Sequence, residues 1–170
     1  MTVELWIVRH GAAADRGPDA PTDAERPLVA KGERQGRRLG AWLPPLDRLF
    51  TSPKVRAAQT AAFLAHLAEG GAEELQALAD GDAEELPEAI RQRLDGMRPP
   101  PGRALRVACV GHEPQLSEAV GLLIAPLGAG RPADLRLRKG GVARTVGRLR
   151  PGGMQLELLL SQGDLKHLTT

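Results

Sequence analysis

Residues 3 to 11, Val-Glu-Leu-Trp-Ile-Val-Arg-His-Gly, constrain the chain most, because an apolar segment runs directly into two cationic side chains and a glycine. Val3, Leu5, Trp6, Ile7 and Val8 are β-branched, aromatic or leucine and too few for a stable helix, which predicts a buried strand of a parallel sheet. Arg9 and His10 then fall at its carboxyl end, the edge of open α/β sheets where ligands bind, at a reversal of strand order. Gly11 lets the backbone turn away and an anion approach the main-chain N–H groups. An arginine beside a histidine there makes an anion site with a candidate nucleophile. Taken alone, the dipeptide reads more readily as a solvated strand end; two further corners of the chain shift the balance.

The strands and helices that follow repeat the pattern. Residues 12 to 30, with Pro18, Pro21 and Pro27, read as a loop over the strand end. A helix is predicted from Lys31 to Leu43, stopped by Pro44-Pro45, although Gly36 and Gly40 weaken it. Leu46 to Thr51 reads as a short strand. Ser52-Pro53 reads as an N-cap and first helical residue, opening a helix with Val55, Ala58, Ala62 and Phe63 on one face and its end at Gly70-Gly71. A short strand is expected around Leu75, and a helix with Leu86, Ile90, Leu94 and Met97 on one face before Pro99-Pro100-Pro101. Leu105 to Val110 forms a second clear strand, entering Gly111-His112-Glu113-Pro114, with Pro114 in the first turn of a helix bearing Leu116, Val120, Leu123 and Ile124. Residues 126 to 133 form a connector. Strands around Val142 to Leu149 and Met154 to Leu160, joined at Pro151-Gly152-Gly153, close the chain. The expected fold is therefore a single α/β domain over residues 1 to 170, a mixed, mostly parallel sheet of about six strands between helical layers.

Composition narrows the function. With 170 residues, 42% of them apolar and 26% charged, the chain suits one soluble domain. Aromatics are limited to Trp6, Trp42, Phe50 and Phe63, and the net charge is only +2, so neither base stacking nor a basic footprint for nucleic acid is expected. Cys109 has no cysteine to pair with, no apolar run is long enough to cross a membrane, and the N-terminus lacks a signal-peptide pattern, which makes the cytoplasm the default location.

Three strand-to-helix corners carry the chemistry: Arg9 with His10, Arg56 inside a helix start, and His112 after a buried strand. A cation in a helix's first turn is opposed by the macrodipole unless something negative lies between them. A bound phosphate satisfies both, since helix N-termini and guanidinium groups each suit it. His66 and His167 lack that setting and read as structural or exposed. Other chemistries lack their patterns. Five residues after Cys109 stands Gln115 rather than the arginine of a cysteine phosphatase, no Gly-x-x-x-x-Gly-Lys-Ser/Thr loop or Gly-x-Ser-x-Gly elbow occurs, and four scattered histidines give no zinc spacing.

The chain resembles the histidine phosphatase superfamily, also called phosphoglycerate mutase-like, and within it the SixA-type phosphohistidine phosphatases. Leu5 to Gly11 matches the founding Arg-His-Gly motif, and Arg26-Pro27-Leu28 with Lys31-Gly32 is similar to that branch's Arg-Pro-Leu loop and helix start. Thr51-Ser52-Pro53 with Arg56, Ala57, Gln59 and Thr60 matches a Ser-Pro-x-x-Arg-Ala-x-Gln-Thr motif, and Val110 to Pro114 the second histidine. The resemblance implies a three-layer α/β/α fold with His10 as nucleophile and Arg9, Gly11, Arg56 and His112 around the phosphoryl group. It implies no metal and no cofactor. Arg26 either steers phosphate or anchors its loop. Glu113 follows the second histidine where some members place a general acid, and reads equally as an acid in a helix's first turn. The expected partner is a phosphorylated protein, such as a histidine-containing phosphocarrier domain, met by a monomer or weak oligomer. A small phosphorylated metabolite or a weakly catalytic phosphohistidine-binding module are the alternatives.

Overall fold

The computed structural model describes residues 1–125 and 135–168; the connector expected over 126 to 133 lies outside the described residues. Six strands form one sheet in the order β3-β2-β4-β1-β5-β6. They are β1 (Val3–Arg9), β2 (Arg48–Thr51), β3 (Ala72–Glu74), β4 (Leu105–Gly111), β5 (Val142–Gly147) and β6 (Met154–Leu160). β1, β2, β3 and β4 run parallel, whereas β5 and β6 are antiparallel additions beside β1. Along β1, Leu5 and Ile7 face one helical layer while Trp6 and Val8 face the other, and all four are buried. Burial on both faces is why this strand reads as a nearly continuous apolar run.

The first layer contains α3 (Ala77–Asp80), α4 (Leu86–Arg93) and α5 (Gln115–Ile124), which pack Leu78, Ile90 and Leu116 against Ile7, Phe50 and Val107. The second contains α1 (Ala30–Trp42), α2 (Val55–Ala62) and α6 (Gln162–Leu168), which pack Leu39, Ala57 and Leu165 against Trp6, Val8 and Val110. Gly36 and Gly40, which lower helix propensity, are where α1 lies against the segment after α2. A Cβ at Gly36 would collide with the Phe63 ring, and at Gly40 with the Phe63 carbonyl. Close packing of the helices outweighs the roughly 1 kcal/mol that each glycine costs a helix.

The structure corrects several expectations. α2 opens at Val55 with Lys54 as N-cap rather than at Ser52-Pro53, and it ends at Ala62, followed by a 3₁₀ turn at Ala65–Leu67, well before Gly70. Pro114 occupies the N-cap of α5 rather than its first turn. The strand expected around Leu75 lies just before it, at Ala72–Glu74. α6 was not expected at all. Its start is fixed by a reciprocal cap in which Asp164 Oδ2 accepts from the Ser161 N–H and hydroxyl, each at 2.7 Å.

Candidate functional site

The sheet order sets the site before any side chain is considered. β1 and β4 are central neighbours, but the chain leaves β1 for β2 on one side and leaves β4 for β5 on the other. A crevice therefore opens above their carboxyl ends. The register pairs Arg9 with Gly111 and Thr51 with Val110, so His10, Ser52 and His112 emerge at one level. Backbone bonds from His10 N–H to the Gly111 carbonyl (3.1 Å) and from Ser52 N–H to the Val110 carbonyl (2.9 Å) continue the ladder into the crevice.

His10 is 6% exposed. Its Nδ1 lies 2.7 Å from the Gly11 carbonyl, which can only accept, so Nδ1 carries the proton and Nε2 keeps its lone pair. Arg56 Nε–H donates to that Nε2 at 3.2 Å. Burial pushes the His10 pKa down to about 4; the Gly11 bond opposes the shift, and the charges of Arg56, Arg9 and Lys139 add to it. The ring of His112 lies 5.0 Å away, centroid to centroid, with Nε2 at 2.8 Å from Ser52 Oγ and Nδ1 buried without a partner. Burial, with the neighbouring His10, Arg56 and Lys54, takes the His112 pKa down to about 3 against the opposing pull of Asp23.

Arg56 is the second residue of α2, where the macrodipole opposes it, and the negative partner anticipated there is supplied by the chain itself. Arg56 Nη2 donates to Asp23 Oδ2 at 3.1 Å, and Nη1 to the Asp23 main-chain carbonyl. With Nε on His10, each of the three guanidinium nitrogens is engaged. Asp23 also meets Arg16 at 2.9 Å, Arg26 at 3.0 Å and Lys54 at 3.8 Å. Partial burial works against its ionisation, but hydrogen bonds from Arg16 and Arg56 and the charges of Arg56 and Arg26 hold its carboxyl well below the usual carboxylate range. A carboxylate ringed by four cations occupies the kind of place a phosphoryl group would.

The other expected residues divide. Arg9 Nη1 donates to the Leu137 carbonyl at 2.8 Å, leaving its buried Nε without a partner. Arg26 acts within the loop, donating to the Ala14 carbonyl at 2.9 Å and to Asp23. The Gly11 amide is not open to an anion, because it donates to Thr60 Oγ1 at 3.0 Å. Glycine is required there by close approach, since a Cβ would come 2.8 Å from the Gly32 carbonyl of α1. Glu113 is half-buried with Oε1 lacking a partner; burial pushes its carboxyl pKa up, while Ser117 and Arg9 restrain the shift. Sequence reasoning missed Asp23, assigned Ser52 to a helix cap, and gave no role to Gln35, whose Oε1 accepts from the Ala12 N–H at 2.8 Å. Among the described residues no group of three or more His, Cys, Asp or Glu side chains is arranged to hold a metal ion.

A neutral imidazole nitrogen in such a crevice can attack a phosphoryl group, while the surrounding cations can stabilise the charge on its oxygens. Comparison with known proteins bears on the fold and the family. The chain covers 99% of the structure of the protein histidine phosphatase SixA complexed with tungstate, is itself covered to 99%, and is 23% identical with a TM-score of 0.75. It is also similar to a phosphoserine phosphatase of Entamoeba histolytica in complex with 3-phosphoglyceric acid (17% identity, 96% of this chain and 99% of that one, TM-score 0.65). A mycobacterial glucosyl-3-phosphoglycerate phosphatase shares the fold as well (18% identity, 93% and 98%, TM-score 0.67). No curated protein matches the chain in sequence. The model of the histidine phosphatase superfamily (branch 1) matches residues 5–104, and on that match the chain belongs to this superfamily of phosphatases.

Proposed function

We propose that the protein hydrolyses phosphohistidine on another protein through a covalent intermediate on His10. The observation that carries the reading is the locked His10 ring: Nδ1 tied to the Gly11 carbonyl, and Nε2 unprotonated beside Arg56. Nε2 attacks phosphorus, the substrate's P–N bond breaks, and the departing imidazole takes a proton from solvent. Arg9, Arg56 and His112 hold the phosphoryl oxygens. Water then attacks the phosphoenzyme, the bond to Nε2 breaks, and inorganic phosphate leaves. Support for a phosphohistidine substrate comes from the leaving group. An imidazole needs less proton assistance than an alkoxide, and Asp23, the carboxylate bonded to Arg56, is held ionised. The match in length and fold to the protein histidine phosphatase SixA points the same way.

A small phosphomonoester is the second reading, favoured by the raised pKa of Glu113 next to His112 and by the metabolite phosphatases that share the fold. Hydrolysis of a histidine-phosphorylated carrier domain, measured beside a sugar phosphate for wild type and His10→Ala, separates the readings. Loss of phosphohistidine should be preferred and should fall by about three orders of magnitude in the variant. A marked preference for the ester would move the protein to the metabolite phosphatases. Retained binding of the phosphoprotein without turnover of either substrate would make it a binding module.

A further inference from the structure

A second cationic feature lies immediately beside the crevice. A cleft of about 490 Å³ opens between the start of α1, the segment before β5 and the start of α6, and Ala12 and Gln35 line its inner end. Six cations ring it: Lys31, Arg34, Arg38, Arg138, Lys139 and Lys166. No carboxylate is among the described residues that line it. In a chain whose net charge is only +2, six cations around one cleft mark a segregation of charge. The compensating acids include Asp80, Asp82, Glu84, Glu85 and Glu88, which belong to α3, α4 and the turn between them, in the opposite helical layer.

The cleft adjoins the corner that carries His10, since Ala12 and Lys139 both line it. The Ala12 amide, one residue beyond Gly11, bonds to Gln35, and the Gln35 Nε2–H donates to the Lys139 carbonyl at 3.3 Å. Lys139 is close enough for its charge to act on His10. We propose that this cleft is the docking surface for the carboxylate-rich face of the phosphoprotein substrate, which it orients so that the phosphohistidine enters above His10. The inference rests on the phosphohistidine reading and adds the chemistry by which the partner is recognised. A phosphohistidine projecting from a folded domain brings the surrounding surface against the rim, and the cations on this side of it select a partner with acids there. Opposed charges of this kind raise association rates and set orientation, and salt weakens them.

The test uses the full chain with Lys31→Glu, Arg34→Glu and Arg138→Glu combined, three exposed residues outside the catalytic crevice. The probes are a histidine-phosphorylated phosphotransfer domain with an acidic face beside its histidine, and free phosphohistidine. The reversal should lower kcat/KM on the domain about thirty-fold or more, with the loss shrinking as salt rises, and leave free phosphohistidine within about threefold. Equal losses on both substrates, or no loss on the domain, would overturn the docking surface. A wild type that hydrolyses neither substrate would overturn the phosphohistidine reading instead. The docking surface is then judged by binding of the unphosphorylated domain, where weaker binding by the triple variant supports it and unchanged binding overturns it. Tighter retention of an RNA oligonucleotide or an anionic vesicle than of the acidic domain would also overturn it.

Discussion

Two imidazoles held neutral in a buried cationic crevice make the fold sensitive to acid over a defined range. The pKa of His10 falls from 6.5 to about 4, and that of His112 from 6.5 to about 3. Below pH 6.5 the unfolded chain takes up protons that the folded chain refuses, so unfolding gains free energy as pH drops; the stability is complete above 6.5 and is lost on the way down to the folded values. At about pH 4.5 each ring contributes a loss of about 2 to 3 kcal/mol relative to pH 8, or about 5 kcal/mol together. A domain is stable by about 5–15 kcal/mol in total, so the loss is large. The raised pKa of Glu113 acts in the opposite direction, favouring the folded state as pH falls towards it. Its contribution cancels when wild type is compared with histidine variants. Urea unfolding followed by the fluorescence of the buried Trp6 at about pH 8 and pH 4.5 is the measurement, on wild type, His10→Asn and His112→Asn. The pH dependence of each variant should be smaller than that of the wild type by about 2 to 3 kcal/mol. Variants that retain it in full would refute the claim that these rings are held neutral by burial.

Asp23→Asn removes the negative charge that occupies Arg56 while keeping the side chain's shape; titration calorimetry with inorganic phosphate or tungstate should show about five-fold tighter binding. Unchanged or weaker binding would mean that Asp23 does not compete for the anion's place. Glu113→Gln should slow an ester substrate by about 10² to 10⁴ if Glu113 protonates the leaving oxygen, while phosphohistidine hydrolysis stays near the wild-type rate. Equal ester rates for the variant and wild type would sink that assignment.

The features legible in the sequence were those that depend on local pattern. β1 and β4 stand out because both faces are buried, which leaves apolar runs ending in Arg9-His10 and Gly111-His112. Three corners of that kind predicted a convergence, and the structure brings His10, Arg56 and His112 together. Ser52-Pro53 misled for a tertiary reason. Serine before proline is a sound cap signal, and Ser52 Oγ does accept from the Lys54 N–H at 3.3 Å while also meeting His112 Nε2 on the neighbouring strand's end, but the helix starts only at Val55. Asp23 left no readable signal, because it lies in a proline-rich loop without periodicity and meets Arg56 33 positions further on. The Ser161-x-x-Asp164 cap is readable in principle, but it follows directly on the alternating strand β6 and opens a helix of only seven residues, too short for a clear apolar period.

The two carboxyl groups around the crevice have been driven apart by their surroundings. Asp23 meets Arg16, Arg26, Lys54 and Arg56 and is held as an anion. It can compete with phosphate and fix Arg56, but it has no proton to give. Glu113 has a buried oxygen without a partner and a pKa raised by burial, so it is the carboxyl group able to hold a proton nearer neutral pH. Where environments separate two titratable groups in this way, roles divide with them. On this reasoning the anionic loop carboxylate governs entry to the site and the half-buried acid governs which leaving groups it can release. A substrate whose leaving group is imidazole would feel only the first of these controls, whereas an ester would feel both. Asp23→Asn and Glu113→Gln measured on the two substrate classes therefore report on different steps of the same reaction.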